Sequence, residues 1–348
     1  MGNNASRVLA KPLGTHTALG HLNEFRRWKD IPYLRDNSGR LPPFIIAVGS
    51  RVRVLNAPGV LGLKDPVFID EEARRIFGNG AMGRVSLLAG VMEHRKFYFP
   101  LAVVETQMGC SAAQINMREI LHFSSHGGYS MGRERVHSDG LYVVRAGTCA
   151  GVNSLSMSEL ALKIGDIGIA TESYGSVGAV IQSTLRELNF VGASIPEIVD
   201  RMGGELASGR ILSLSHDRKH LVSRASPRVL LHLQRAADKR RATNFLGPNF
   251  TKDSLYAEMG EEQFAWLRDN YGVITTEMEQ LAIDALGAEF TNAGIPAYTG
   301  LISVCVGAIP GQSFPETPEQ HEASGKGEDN IMRIAADAFA EIAMKMNR

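Results

Sequence analysis

Three segments of this 348-residue chain place residues capable of chemistry beside backbone turns. The apolar run Leu141-Tyr142-Val143-Val144 delivers Arg145-Ala146-Gly147-Thr148-Cys149-Ala150-Gly151. An arginine at a strand end, followed by a turn of small and hydroxyl residues, offers a guanidinium fork, a hydroxyl and free backbone N–H groups. That set suits an oxyanion such as phosphate. The run Phe44-Ile45-Ile46-Ala47-Val48 ends in Gly49-Ser50-Arg51-Val52-Arg53, again a turn with an arginine close by. In the third segment, Gly272 to Gln280, the carboxylates Glu277 and Glu279 flank Met278 where a helix begins. Taken alone, that pair need only complement the helix N-terminus.

Other patterns carry less. Gly78-Asn79-Gly80-Ala81-Met82-Gly83 fits the dinucleotide expression, but a helical stretch (Asp70 to Phe77) precedes it and a strand-like one (Arg84 to Ala89) follows. The pyrophosphate fingerprint needs the opposite order, so this is a loop. His122 and His126 are four apart at a helix end, without a third ligand, and no metal site is expected. Cys110, Cys149 and Cys305 lack metal spacing and cannot form a disulfide framework; Cys149 fills space.

The elements that must position these residues alternate along the chain. Strand-like runs are centred on residues 41–48, 101–104, 141–144, 164–170 and 301–306. Helical patterns span Ser111 to Phe123, Ser226-Pro227 to about Arg241, and Asp329 to Met346. Such alternation argues an α/β fold with a covered central sheet. Residues 1–40 read as an N-terminal arm and 41–348 as a single domain.

Together and in this order the segments resemble the nucleoside phosphorylases related to uridine phosphorylase, from about residue 44 to the C-terminus. Arg145 to Gly151 looks like that family's Arg-x-Gly-Thr-Ser/Thr-Gly turn, and Gly49 to Arg53 falls at its Gly-Asp-Pro-x-Arg. Thr106-Gln107-Met108-Gly109 sits at its Ser-Thr-Gly-x-Gly loop, and Thr251 to Tyr256 resembles its Ser-x-Asp-x-Phe-Tyr. Glu277-Met278-Glu279 matches its most specific short signature. The resemblance implies a three-layer α/β fold with a mixed central sheet flanked by helices. It also implies reversible phosphorolysis of a nucleoside, with inorganic phosphate as co-substrate and no metal or organic cofactor. Gly49, Arg53, Arg145 and Thr148 would hold phosphate, joined by Arg84 of a neighbouring copy in a homodimer or larger homo-oligomer. Thr106, Met278 and Glu279 would hold the ribose; Arg145, Thr148 and Glu279 would be catalytic. Tyr256 and Glu277 are the candidates facing the base, although Glu277 also has the helix start to support.

Departures from the pattern bear on substrate. Ser50 and Arg51 replace Asp-Pro, Ala150 replaces a glycine, and Gln107 replaces the glycine of the Thr106 loop. The Gln and Arg that read uracil are missing at their offsets, where Tyr256-Ala257-Glu258-Met259 follows; Gln263 and Arg268 lie farther along. Gly307-Ala308-Ile309 lacks the aspartate of the purine-specific relatives. His16, His21 and Tyr33 are stand-ins for the histidine a neighbouring subunit lends. Uridine is the expected substrate. A purine phosphorylase, a nucleosidase using water and a non-catalytic nucleoside-binding protein are the alternatives.

Composition removes other classes. Lys+Arg 37 against Asp+Glu 37 leaves no net charge, so no field for nucleic acid is expected. Hydrophobic residues at 44% and charged ones at 21% exclude a disordered chain. No uncharged apolar run approaches the ~20 residues of a membrane span, and the cysteine usage suggests a cytoplasmic protein. Met1-Gly2-Asn3-Asn4-Ala5-Ser6 matches the myristoylation pattern, yet one acyl chain with only Arg7 and Lys11 nearby would tether weakly.

Overall fold

A computed structural model of the chain describes residues 31–37, 40–77, 85–124, 129–131, 134–152, 162–175, 212–215, 220–252, 260–292, 294–309 and 314–347. The elements, in chain order, are α1 (Pro32–Asp36), β1 (Phe44–Val48), α2 (Arg51–Leu61), β2 (Lys64–Phe68), α3 (Ile69–Phe77), β3 (Leu87–His94), β4 (Phe97–Glu105) and α4 (Cys110–Phe123). A short antiparallel pair, β5 (Tyr129–Met131) and β6 (Glu134–Val136), precedes β7 (Leu141–Val152), β8 (Ile167–Gly175), β9 (Leu212–Leu214) and β10 (Leu221–Arg224). Then come α5 (Pro227–Lys239), β11 (Asn244–Thr251), α6 (Glu261–Tyr271), β12 (Thr275–Glu277), α7 (Gln280–Asn292), β13 (Ala297–Ile309) and α8 (Pro318–Met346).

Eleven of these strands form one mixed sheet, in the order β2-β3-β4-β1-β7-β12-β11-β8-β10-β9, with β13 pairing β7 and β8. The central strand β1 is parallel to both β4 and β7 and wholly buried, which is why its sequence is continuously apolar rather than alternating. Its pleat sends Phe44, Ile46 and Val48 to one face, against Val54 and Leu61 of α2, Leu233 of α5 and Ile331 and Phe339 of α8. Ile45 and Ala47 go to the other, against Met117 and Ile120 of α4, Ile283 and Leu286 of α7, Leu34 of α1 and Ile31 just before it. Helix, sheet and helix make three layers, with the mixed sheet in the middle.

Two expectations change. The residues after Val144 do not leave the sheet as a turn: β7 runs unbroken to Val152, because β13 pairs with it from Leu141 to Val152, with one register shift in β13 between Cys305 and Gly307. The backbone groups of this stretch that face β13 therefore belong to the ladder, while on the other edge β1 pairs only as far as Ala146 and β12 only with Ala150 and Gly151. The last helix begins at Pro318 rather than Asp329. Thr317 and Gln320 form a reciprocal capping box around Pro318 at the first turn. Gly327 lets this longer helix lie close to the sheet, where a Cβ would come within 2.3 Å of Val304.

Candidate active site

Arg145 leaves β7 on the α4/α7 face and is almost fully buried, with 3% of its surface exposed. Its guanidinium lies flat over its own strand. A Cβ at Gly147 would stand 2.3 Å from Nη1 and 2.7 Å from Cζ, so position 147 must be glycine for this rotamer to exist. Gly49, at the end of β1, closes the other side, where a Cβ would stand 3.2 Å from Nη2. Nη2 donates to Glu279 Oε2 at 2.7 Å, and Glu279 Oε1 accepts from the backbone N–H of Gly109 at 2.8 Å. The Nε and Nη1 groups of Arg145 are buried and find no partner among the described residues. Leaving a charged donor so costs ~1–3 kcal/mol per group. A guanidinium framed by two glycine backbones, with Nε and Nη1 spare, has donors that an anion could take.

Glu277 and Glu279, two residues apart, do different work. Glu277 Oε2 accepts from the N–H groups of Glu279 (2.7 Å) and Gln280 (2.9 Å), capping α7. Its Oε1 accepts from Asn249 Nδ2 (2.9 Å) and Thr251 Oγ1 (2.6 Å) on neighbouring β11. Burial and the nearby Glu279 charge raise its pKa, opposed by the Thr251 hydroxyl and the Arg145 charge. Both oxygens serve the chain itself. The proposed contact of Glu277 with a base therefore has no free oxygen to rest on, whereas its support of the helix start is fully drawn.

The remaining predicted residues separate. Thr106 is fully buried, its single hydroxyl proton shared between the Val48 and Gln107 carbonyls, each at 3.1 Å, while Asn116 Nδ2 donates to the Thr106 carbonyl (3.1 Å). It shapes the turn that presents Gly109. Gln107 takes φ 61°, which explains why the resembling family has glycine there. Met278 is half-buried, with Cε 4.0 Å from where a Cβ on Gly109 would lie. Thr148 sits opposite Val304, and Val304 belongs to the α8-side core, so the register turns Thr148 to the face opposite Arg145. Arg53 in the first turn of α2 is held on that same side by Glu328 of α8, Nε to Oε2 at 2.9 Å and Nη2 to Oε1 at 2.7 Å. No hydrogen bond among the described residues joins Thr148 or Arg53 to Arg145. Arg84, Tyr256, His16, His21 and His126 lie outside the described residues.

Among the described residues no group of three or more His, Cys, Asp or Glu could hold a metal ion, and no helix is long and apolar enough to cross a membrane. Cys149 packs on Cys305 across the β7–β13 pair, and its hydrogen bond to that thiol, with burial, raises its pKa. A thiol so held stays protonated and is a poor nucleophile.

Solved structures superpose over nearly the whole chain. The purine nucleoside phosphorylase of Toxoplasma gondii, in complex with immucillin-H, is 16% identical, with 88% of this chain and 93% of that one aligned at a TM-score of 0.53. The uridine phosphorylase of Vibrio fischeri is 14% identical over 87% and 91%, at 0.52. A Trypanosoma brucei nucleoside phosphorylase, described as showing uridine phosphorylase activity, is 16% identical over 86% and 94%, at 0.55. The chain has the nucleoside phosphorylase fold. No protein-family model and no curated protein sequence matches it. Within this nucleoside phosphorylase fold, the sequence alone pointed to Arg145, Glu279 and Gly49 but not to the backbone donor of Gly109 or to Glu328. Gly109 carried a signal in the Thr106 loop. Glu328 carried none, being one acid among several on a helix.

Proposed function

We propose that the protein is a nucleoside phosphorylase, with Arg145 as the centre of its phosphate site. The buried Arg145 guanidinium, with two unpartnered N–H edges between Gly49 and Gly147, carries this proposal. Phosphate dianion would take those edges and attack C1′ of the pentose. The C1′–O bond forms as the C1′–N bond breaks, and the base leaves with the bonding pair and takes up a proton. Oxocarbenium character at the sugar is stabilised by the dianion beside it, so the protein chiefly holds and orients. Glu279, fixed by Arg145 and Gly109, would accept from the ribose hydroxyls beside the Met278 backbone, and Thr106 would keep its loop in place. Thr148 and Arg53 lie on the other face of the sheet from Arg145, so they would join the phosphate site only beyond the end of β1, where Gly49 leads into α2. Arg84 of a second copy would join them in a homodimer or larger assembly.

Uridine is the proposed substrate. A purine departs readily when an acid protonates or hydrogen-bonds N7; Gly307, Ala308 and Ile309 end β13 without such a group. A uracil anion needs only hydrogen bonds at its carbonyl edge. One observation favours a water-using nucleosidase: both arginines meet carboxylates, Arg145 with Glu279 and Arg53 with Glu328. Purified protein incubated with uridine, inosine and adenosine, with and without phosphate, separates these outcomes. Phosphate-dependent uracil release is expected. Faster inosine cleavage would overturn the pyrimidine assignment, and base release independent of phosphate would establish the nucleosidase.

A further inference from the structure

The Arg53–Glu328 pair joins a guanidinium fork to a carboxylate supplied by the chain itself. The carboxylate of Glu328 takes the Nε–Nη2 fork of Arg53, the same two-point contact that a phosphate would take. Arg53 stands in the first turn of an eleven-residue helix whose N-cap residue, Ser50, makes no side-chain capping bond and whose first turn holds no acid. The partial positive charge of that helix end is thus matched by no acid of its own first turn, and Glu328 arrives from α8. Gly49, two residues before α2, lies against the Arg145 guanidinium. The two arginines accordingly open at the same end of β1. The pair is not needed to dock the helices: Arg333 Nε also reaches the Val60 carbonyl at 3.0 Å, and Val54, Ala57 and Leu61 share a core with Ile331 and Ala335.

We propose that Glu328 is a displaceable internal counter-ion which competes with phosphate for Arg53, so that this residue sets a weak phosphate affinity. The proposal rests on the assignment of phosphate to the Arg145 end of β1. Glu328 is a positioning residue in this scheme, acting on phosphate only through Arg53. With the side chains of Arg53 and Glu328 13% and 29% exposed, the pair is partly open to solvent, so an entering dianion can exchange with the carboxylate. Other charges on neighbouring elements are engaged elsewhere, Arg51 with Glu71 of α3 and Lys326 with Glu322.

The test is calorimetric binding of inorganic phosphate to full-length wild type, Glu328→Gln, Glu328→Asp and the Arg53→Ala/Glu328→Gln double variant. Loss of the competing charge should tighten phosphate about fivefold in Glu328→Gln, the scale of a partly exposed ion pair. The shorter Glu328→Asp should fall between, and the double variant should lose the gain. Unchanged or weaker binding in Glu328→Gln, a gain that survives without Arg53, or no phosphate binding by any form would overturn the proposal. Turnover of uridine with phosphate, run in parallel, tests the catalytic assignment separately. A lower phosphate KM in Glu328→Gln with the nucleoside KM unmoved supports the competition. No turnover alongside tightened binding would remove the phosphorylase assignment and leave the competition standing.

Discussion

Two arginine–carboxylate pairs stand on opposite faces of the sheet, and they are built to different ends. Arg145 and Glu279 are both buried, their side chains 4% and 5% exposed; the arginine is pinned by glycine backbones and keeps two unpartnered nitrogens, Nε and Nη1. Arg53 and Glu328 are more open, and the pair uses the whole bidentate fork. A buried pair is an uncertain source of stability, because desolvation offsets much of the attraction. Its value here lies in fixing geometry. A partly exposed pair costs less to open. The first pair is therefore suited to hold a ligand in one place and the second to yield to one.

The largest effect should come from the residue that supports the buried pair without joining it. Glu277→Ala strands the Glu279 and Gln280 N–H groups, Asn249 and Thr251, at a cost of roughly 3–5 kcal/mol in unfolding free energy. Denaturant titration should register that loss, whereas a change of under ~1 kcal/mol would mean the network is bridged by water instead. Arg145→Ala should lower phosphorolysis by at least ~100-fold, since charge-assisted bonds are worth ~1.5–3 kcal/mol each. Arg145→Lys should recover only part, for want of a fork. Near-normal activity of the Ala variant at limiting phosphate would erase the distinction between the two pairs.

A pH experiment sharpens the comparison from behind the buried pair. Asp284, on α7, accepts from Ser223 and, at 2.7 Å, from Gln280 Nε2, and burial pushes its pKa up to about 6 from 3.8. A carboxyl raised on folding contributes stability fully below the unfolded value and loses it as pH rises through the folded one. The contribution is thus present below about pH 4 and gone above about pH 6, roughly 3 kcal/mol in all. The stability difference between Asp284→Asn and wild type should shift in favour of the variant by that order from pH 4 to 7. A flat difference would show that Asp284 titrates normally. The smallest effect belongs to the loop under Glu279: Gln107→Gly, at φ 61°, should stabilise by ~1 kcal/mol or leave stability unchanged, and a clear loss in thermal unfolding would mean that the side chain's own contacts outweigh the strain.

The sheet was readable because its strands are short apolar runs bounded by Gly, Pro and charged residues, and Phe44–Val48 matched the observed β1. Motif spacing likewise picked out Arg145 and Glu279. What escaped was non-local. Nothing local to residues 145–151 says that β13 will pair along them, so a strand looked like a turn. Nor could spacing show that Thr148 and Arg145 part to opposite faces, since that depends on the strand continuing. Glu328 meets Arg53 across 275 positions, a pairing set by the packing of α8 on α2. The start of α8 was legible in principle, as Thr317-Pro318-Glu319-Gln320 is a capping signature, but Gly325 and Gly327 disguised the helix behind it.

Phosphorus-31 NMR of the protein with uridine and inorganic phosphate tests the central claim most directly. A nucleoside phosphorylase should convert the phosphate signal into that of a pentose 1-phosphate, in step with an equal amount of free uracil, and Arg145→Ala should slow both together. Uracil appearing beside free ribose, with the phosphate signal unchanged, would contradict it.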